Sequence, residues 1–386
     1  MKKKIIIVLI LSVFTIPFWM WIIWHIEGKK ELKIAIVDKT VLSMAGNEHS
    51  SFNWILTNRK YCKPDRQLYS IRSDYYGFFP LQNKKYYIQD FSGYDSTKLN
   101  DLVNRNDMTY FTDTYGIYYK EWYGTNPRGD HSSLIYGGMS ESDIAFLKLM
   151  KAQHKMVISE FNTIASPTKG GVRKEFEDLF GVKWTGWSGR YFDLLDTIKN
   201  KELPIWLVND YKTQHNNKWP FNNSGIAFVN ESGRVEVLEN KTDLVDEVPY
   251  IITGAENQKR YGLPAKIKYP YWFDVTLTSR INNVISVCRI NSNSKGDSIL
   301  SSMNIPNPFA SVIEHYDNDY KFYYFCGDYC DSPVRQSFSK LWGITAFSSL
   351  LSTTKETSER ESFFWSYYEP LVSNILSKYY ESLPKK

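Results

Sequence analysis

Three short apolar runs, each closed by a carboxylate, constrain this chain more than anything else in it. "KIAIVD" ends at Asp38, "MTYFTD" at Asp113 and "MVISE" at Glu160. Each reads as a buried strand, and helical spacing lies between them. Phe52, Ile55 and Leu56 share one face within 49–61, and 98–106 reads as a second helix. Ser140 with Asp143 forms a capping-box pattern that opens a third, with Ile144, Leu147 and Met150 inward. After the third run, Val172, Phe176, Leu179 and Phe180 make one apolar face, and Gly181 is a natural stop. This alternation over the first 180 residues predicts an α/β fold. Its sheet is doubly wound and mostly parallel, with right-handed crossovers and helices on both faces.

The style changes after residue 181. "WTGWSGRYF" (184–192) reads as an aromatic, Gly-rich loop. Hairpins are expected at 225–238, turning at Ser232-Gly233, at 272–290, turning at Asn282-Asn283, and at 310–332, turning near Asp317 to Asp319. Helices over roughly 337–352 and 362–380 close the chain. The expected organisation is one α/β domain over 31–355, carrying an inserted β-hairpin region at about 184–309, with a C-terminal helix in 356–386 packed on it.

Hydrophobic residues make up 42% and charged residues 23% of the 386, which fits a folded globular protein. The net charge of +5 comes with no basic stripe, so nucleic acid is not an expected partner. The N-terminus stands apart. Lys2, Lys3 and Lys4 precede an uncharged run from Ile5 to Trp24. As a helix that run would measure about 30 Å, the thickness of a bilayer's hydrocarbon core. Trp19, Trp21 and Trp24 sit toward its far end, as an interfacial belt would. No small-x-small cleavage site follows, and the first cysteine, Cys62, is too distant for lipoprotein processing. Residues 1–30 are therefore expected to be a cytoplasmic tip and an uncleaved transmembrane anchor, with the rest extracytoplasmic at the cell membrane. The four cysteines, Cys62, Cys288, Cys326 and Cys330, permit disulfides. "CGDYC" has no second Cys or His pair to complete a zinc site, so local bridging or free buried thiols is the expectation.

Ligands of open parallel sheets bind outside the carboxyl ends of the strands. That rule selects Asp38, Asp113 with Tyr115, Gly137-Gly138, and Glu160 with Asn162; the last hairpin adds Asp328. Arg190, in "GWSGRYF", is the best local counter-charge candidate for such a group of acids. Trp184, Trp187, Tyr191, Trp219, Tyr271 and Trp272 lie beside Gly, Pro or charge, where flat rings in a groove would suit sugars. Each residue also has a plain structural reading. Asp38 and Asp113 could cap turns, Glu160 could pair with Arg190, Asp328 and Asp274 could serve turns, and the rings could pack long loops.

Taken together, "KIAIVD", "MTYFTD" and "MVISEFN", the late "YKFYYFCGD" strand and the closing helix resemble the class I glutamine amidotransferase-like fold. Within it the chain looks most like the trehalose-utilisation type and related membrane-anchored proteins. The resemblance covers roughly 32–180 and 310–352. Active members carry a Cys nucleophile in a Gly-x-Cys-x-Gly elbow after the strand. Here "ISEFN" puts Glu160 in that place, and there is no Gly-x-Ser-x-Gly. The resemblance thus implies altered or lost chemistry. It leaves two expectations. The first is an anchored domain binding a carbohydrate or cell-envelope glycan in the crevice, through Asp38, Tyr115, Asn162, Trp187, Arg190 and Tyr191. The second is a glycan-directed hydrolase, with Glu160 as general acid or base and Asp113 or Asp328 as its partner, with or without a bridging divalent cation. The sequence assigns no metal-ligand set and names no cofactor.

Overall fold

The computed structural model describes residues 15–43, 46–124, 132–352 and 356–384. A helix over 15–26 (α1) precedes the domain. The strands and helices that build the site then follow in order: β1 (Ile34–Asp38), α2 (Ser50–Asn58), β2 (Tyr76–Pro80), β3 (Tyr86–Gln89), α3 (Ser96–Arg105), β4 (Met108–Asp113), α4 (Glu141–Ala152), β5 (Met156–Glu160) and α5 (Gly170–Phe180). Next come β6 (Val182–Phe192), α6 (Ile205–Gln214), β7 (Gly225–Asn230), β8 (Val235–Glu239), β9 (Trp272–Thr278), β10 (Asn283–Arg289), β11 (Phe309–Tyr316), β12 (Lys321–Phe325) and α7 (Glu369–Ser382).

The main path of the large sheet runs β8-β7-β6-β9-β11-β12-β5-β4-β1-β2-β3. Its centre, β12-β5-β4-β1-β2, is parallel, and antiparallel strands extend both ends. The chain passes from β1 to β2 on one side and then to β4 and β5 on the other. The winding therefore reverses between β1 and β4, where Asp38 pairs in register with Asp113.

Strand alternation divides the core between two faces. Ile34, Ile36, Met108, Tyr110, Met156, Ile158, Tyr323 and Phe325 pack with α2 and the C-terminal helical segment. Ala35, Val37, Phe111, Val157, Phe322 and Tyr324 pack with α3, α4 and α5. Local signals act as expected. Ser140 and Asp143 form the reciprocal cap of α4, and Gly181 ends α5 in the left-handed conformation at φ 65°.

Three expectations change. Residues 184–192 belong to an 11-residue strand, β6, not a loop. β9 and β10 do not pair with each other; each pairs with β11. The connecting turn is held elsewhere, because Asn282 Nδ2 donates to Phe180 O at 2.8 Å and Ser279 N to Gly181 O at 2.8 Å. Tying the turn to the end of α5 draws the two strands apart. The segment 337–352 is a series of short 3-10 and α turns rather than one helix, whereas 361–382 is helical with one π turn at Phe364–Tyr368.

Among the described residues no helix is long and apolar enough to cross a membrane. Residues 5–14 of the expected span lie outside the described residues. All four cysteines are free and buried.

Candidate functional site

A cavity of about 450 Å³ opens at the carboxyl ends of β1 and β4, where the winding reverses. Asp113 at the end of β4 lines it, with Tyr115 from the loop beyond that strand and Tyr118 from the two-residue strand after it. The segment after β5 contributes Phe161 and Asn162, and β6 contributes Trp184, Ser188 and Arg190. Tyr271 and Trp272, at the start of β9, add two rings. Asp328 and Asp331 come from the loop after β12, and Glu48 from the loop after β1.

Asp113 Oδ1 accepts the Tyr115 backbone N–H at 2.6 Å. Burial nevertheless pushes its carboxyl up to about 8, and Asp38 adds to the rise. Burial, with Asp38 and Asp331 nearby, pushes Glu48 up to about 10. Asp328 is raised well above the usual carboxylate range, by burial first and then by Asp331 and Asp113. Asp331 is raised by burial too, with Arg360 beside it opposing the rise. Arg360 donates to the Asp331 carbonyl at 2.9 Å and lies 3.5 Å from the centre of the Tyr271 ring. The Tyr271 hydroxyl in turn donates to Asp331 at 3.1 Å. The cleft therefore presents two carboxyls raised past neutral pH, Asp113 and Glu48, beside two more that burial raises. It couples them to ring faces in the same cavity.

Glu160 does not line this cavity. Met156, Ile158 and Glu160 share one strand parity, which points under α2 and the C-terminal helical segment. The side chain is 0% exposed. Tyr110 donates its hydroxyl to Oε2 at 2.5 Å, and Cys330 its backbone N–H to Oε1 at 3.0 Å. Burial, aided by Asp328, raises its pKa well above the ordinary value despite these donors. It is a core acid, and burial removes it from the role of a general acid or base open to substrate. Nor does a tight elbow come after it, because residues 161–169 separate β5 from α5 and the residue with positive φ, 63°, is Asn162. Asn162 N donates to Asp274 Oδ2 at 3.0 Å, and Ser188 Oγ donates to Asp274 Oδ1 at 2.5 Å. Asp274, buried and pushed up to about 7, thus ties three cavity walls together.

Arg190 is not the partner of Glu160. It pairs with Glu202 and lies 5.1 Å from the Tyr271 ring and 5.6 Å from the Trp272 ring. Trp187 and Tyr191 occupy the opposite face of β6 from Trp184, Ser188 and Arg190, and both belong to the core. Reading β6 as a loop conceals that alternation. Trp219 also leaves the set of cleft rings, since it packs on Tyr211 and Phe221 and donates to Leu195 O at 2.8 Å. Asp38 is buried behind the rim, accepting from Thr40 N at 3.0 Å and meeting His49 Nδ1 at 2.5 Å. Gly137 and Gly138 shape a loop, with Gly138 O accepting from Lys39 Nζ at 3.0 Å. Lys39 also forms a buried pair with Asp143 at 2.6 Å.

Glu48, Asp331 and Arg360 escape the strand-end rule. Asp331 is within its reach, standing three residues after Asp328 in the same turn, and Glu48 lies in the loop after the first strand. Arg360 gives no signal at all, since it arrives from the far end of the chain. The one group among the described residues with metal-ligand spacing is His315, Asp317 and Asp319, at the turn between β11 and β12. The acids of the cavity do not form one.

No family model matches the chain, and no curated protein does. Among solved structures, a thua-like protein from Bacteroides uniformis is 10% identical, with 87% of this chain and 97% of that chain covered and a TM-score of 0.34. A second, from Parabacteroides merdae, is also 10% identical, with 77% and 79% covered and a TM-score of 0.34. A β-galactosidase from Bacillus circulans sp. alkalophilus is 9% identical, with 79% of this chain covered and a TM-score of 0.35, and the chain spans only 30% of its length. At these scores no property passes from them to this chain, and its function has to be read from the cleft itself.

Proposed function

We propose that this cleft binds a carbohydrate, in an amidotransferase-like domain held at a membrane by the N-terminal segment. One observation carries the reading: ring faces and proton-bearing carboxyls share a single cavity of about 450 Å³. Tyr271, Trp272, Trp184 and Phe161 offer apolar faces of the kind that pack against the C–H face of a sugar. Asp113, Glu48 and Asp328, when protonated, both donate and accept hydrogen bonds, which matches hydroxyl groups. The volume falls within the roughly 300–1,000 Å³ of small-molecule sites.

The test is a thermal-shift screen of the full chain against neutral and charged oligosaccharides. A binding saccharide should raise the melting temperature, and Trp272→Ala should weaken its affinity at least ten-fold, about 1.4 kcal/mol. Glu160→Gln should keep the shift, because Glu160 lies behind the cavity wall. A full shift in Trp272→Ala would rule out the ring-based site. A hydrolytic reading has a narrower support, in that Asp113 faces the cavity and keeps its proton up to about pH 8. Release of new reducing ends by the wild type, lost in Asp113→Asn, would put hydrolysis in place of simple binding.

A further inference from the structure

Helix α1 is attached to the domain along a single narrow line. Met20 and Trp24, one turn apart, are buried, while Ile16, Phe18, Trp19, Trp21, Ile23 and Ile26 are exposed. Trp24 Nε1 donates to Thr57 O at 3.3 Å. Lys60 Nζ donates to Trp24 O at 2.7 Å and stands 4.1 Å from the centre of its ring. On the domain side, Trp342 N donates to Met20 O at 3.1 Å. Trp342 is itself 49% exposed, and Phe347 and Leu350 come after it in the same segment of short turns, Leu350 at 70%. Trp342 thus carries the exposed apolar set from α1 onto the domain, and Phe347 and Leu350 follow it in the chain. A soluble surface rarely gathers such a group without a partner.

We propose that this combined surface rests in the head-group layer of a lipid bilayer, with Trp342, Phe347 and Leu350 as a second contact beside α1. The inference rests on the reading of the N-terminal segment as a membrane attachment, and it takes Met20 and Trp24, which pack on the domain, out of the span Ile5–Trp24 expected from the sequence. Two observations select lipid over a protein partner. The ten residues immediately before α1, Ile5 to Phe14, are uncharged and almost wholly apolar, and they lead back to Lys2, Lys3 and Lys4. The exposed set is rich in Trp and Phe, and an exposed Lys340 lies two residues before Trp342. Aromatic rings with a nearby cation are the composition of a membrane interface. Because α1 is pinned by Met20, Trp24 and Lys60, the domain would be held at a fixed attitude and not on a flexible tether.

The native cysteines are all buried, so a single introduced cysteine can be labelled selectively. The full chain is reconstituted into vesicles of phosphatidylcholine with phosphatidylglycerol. An environment-sensitive fluorophore is placed at Leu350→Cys, at Trp342→Cys and, as a control, at Ile198→Cys, a position 79% exposed. The labels at 342 and 350 should emit at shorter wavelength than the label at 198, and brominated lipid should quench them at least two-fold more. Equal quenching at 350 and 198 in protein that sediments with the vesicles overturns the seat and leaves the anchor standing. Protein that does not sediment with vesicles overturns both. Leu350 packs against little, so its variant keeps the test valid if Trp342→Cys does not fold.

Discussion

At the scale of single residues, the position of a carboxyl decides its role more than its place in a motif. Asp113 and Glu160 both end strands of the parallel sheet, yet one faces the cavity and the other faces the core. Strand parity gives only the side: Met156 and Ile158 point with Glu160 under α2 and the C-terminal segment. It does not separate the two acids, because Phe111, in step with Asp113, is core as well; the cover over each face decides. Which acids keep protons is not legible in that way, because it depends on burial by distant chain. Asp113 sits near 8 in the folded protein against 3.8 for the free side chain. The folded state therefore holds a proton that the unfolded chain gives up above about pH 4, so unfolding releases protons and stability falls as pH rises from about 4 through about 8. Asp113→Asn should flatten part of that decline while leaving stability at pH 4 nearly unchanged. Urea unfolding of both proteins at several pH values checks it. A mutant with an identical slope would show that Asp113 ionises normally.

At the scale of elements, what the sequence announces locally the structure keeps. The capping pair Ser140 and Asp143, the stop at Gly181 and the hairpin turn at Gly233 all stand where local chemistry puts them. The failures are elements whose partners are remote. β9 and β10 look like one hairpin, but the end of α5 holds their turn and β11 lies between their pairings. β6 looks like a loop because of its glycines, yet Gly189 is flat strand against Phe273 and Phe228, where a Cβ would come within 2.5 Å of the Phe273 ring. A similar closeness governs the site. Gly77, at φ 151°, lets β2 approach β1 so nearly that a Cβ there would stand 1.7 Å from Asp38 O. Gly77→Ala should cost roughly 3 kcal/mol in strain and overpacking, read as a lower denaturant midpoint. It should also weaken ligand binding, since the loop after Asp38 carries Thr40 and Glu48 into the cavity wall. An unchanged midpoint would mean that the strands separate there without penalty.

At the scale of the whole molecule, the parallel centre and its two covering layers are legible from alternation, but the order of its strands is not. The cleft is legible in position, at the reversal between β1 and β4, but only partly in membership. Its counter-charge, Arg360, comes from just before the final helical segment, and its rings come from strands added at the sheet's edge. No short-range pattern encodes a meeting between residue 113 and residue 328 in one cavity. The C-terminal segment is also what shuts Glu160 away, through the contact of Tyr368 with Tyr110 at 3.1 Å.

The acids that hold their protons have a kinetic meaning. A pocket counted from its sequence as strongly anionic would draw cations from a distance and repel anions. In this one Asp113 and Glu48 are raised past neutral pH, and Glu202 and Glu231 are paired with Arg190 and Arg173, so it casts little field into solution. Its ligand should therefore arrive by unbiased diffusion. Association rates measured by stopped flow should change less than two-fold between about 0.02 and 0.5 M salt, where a charged mouth would show a steep fall.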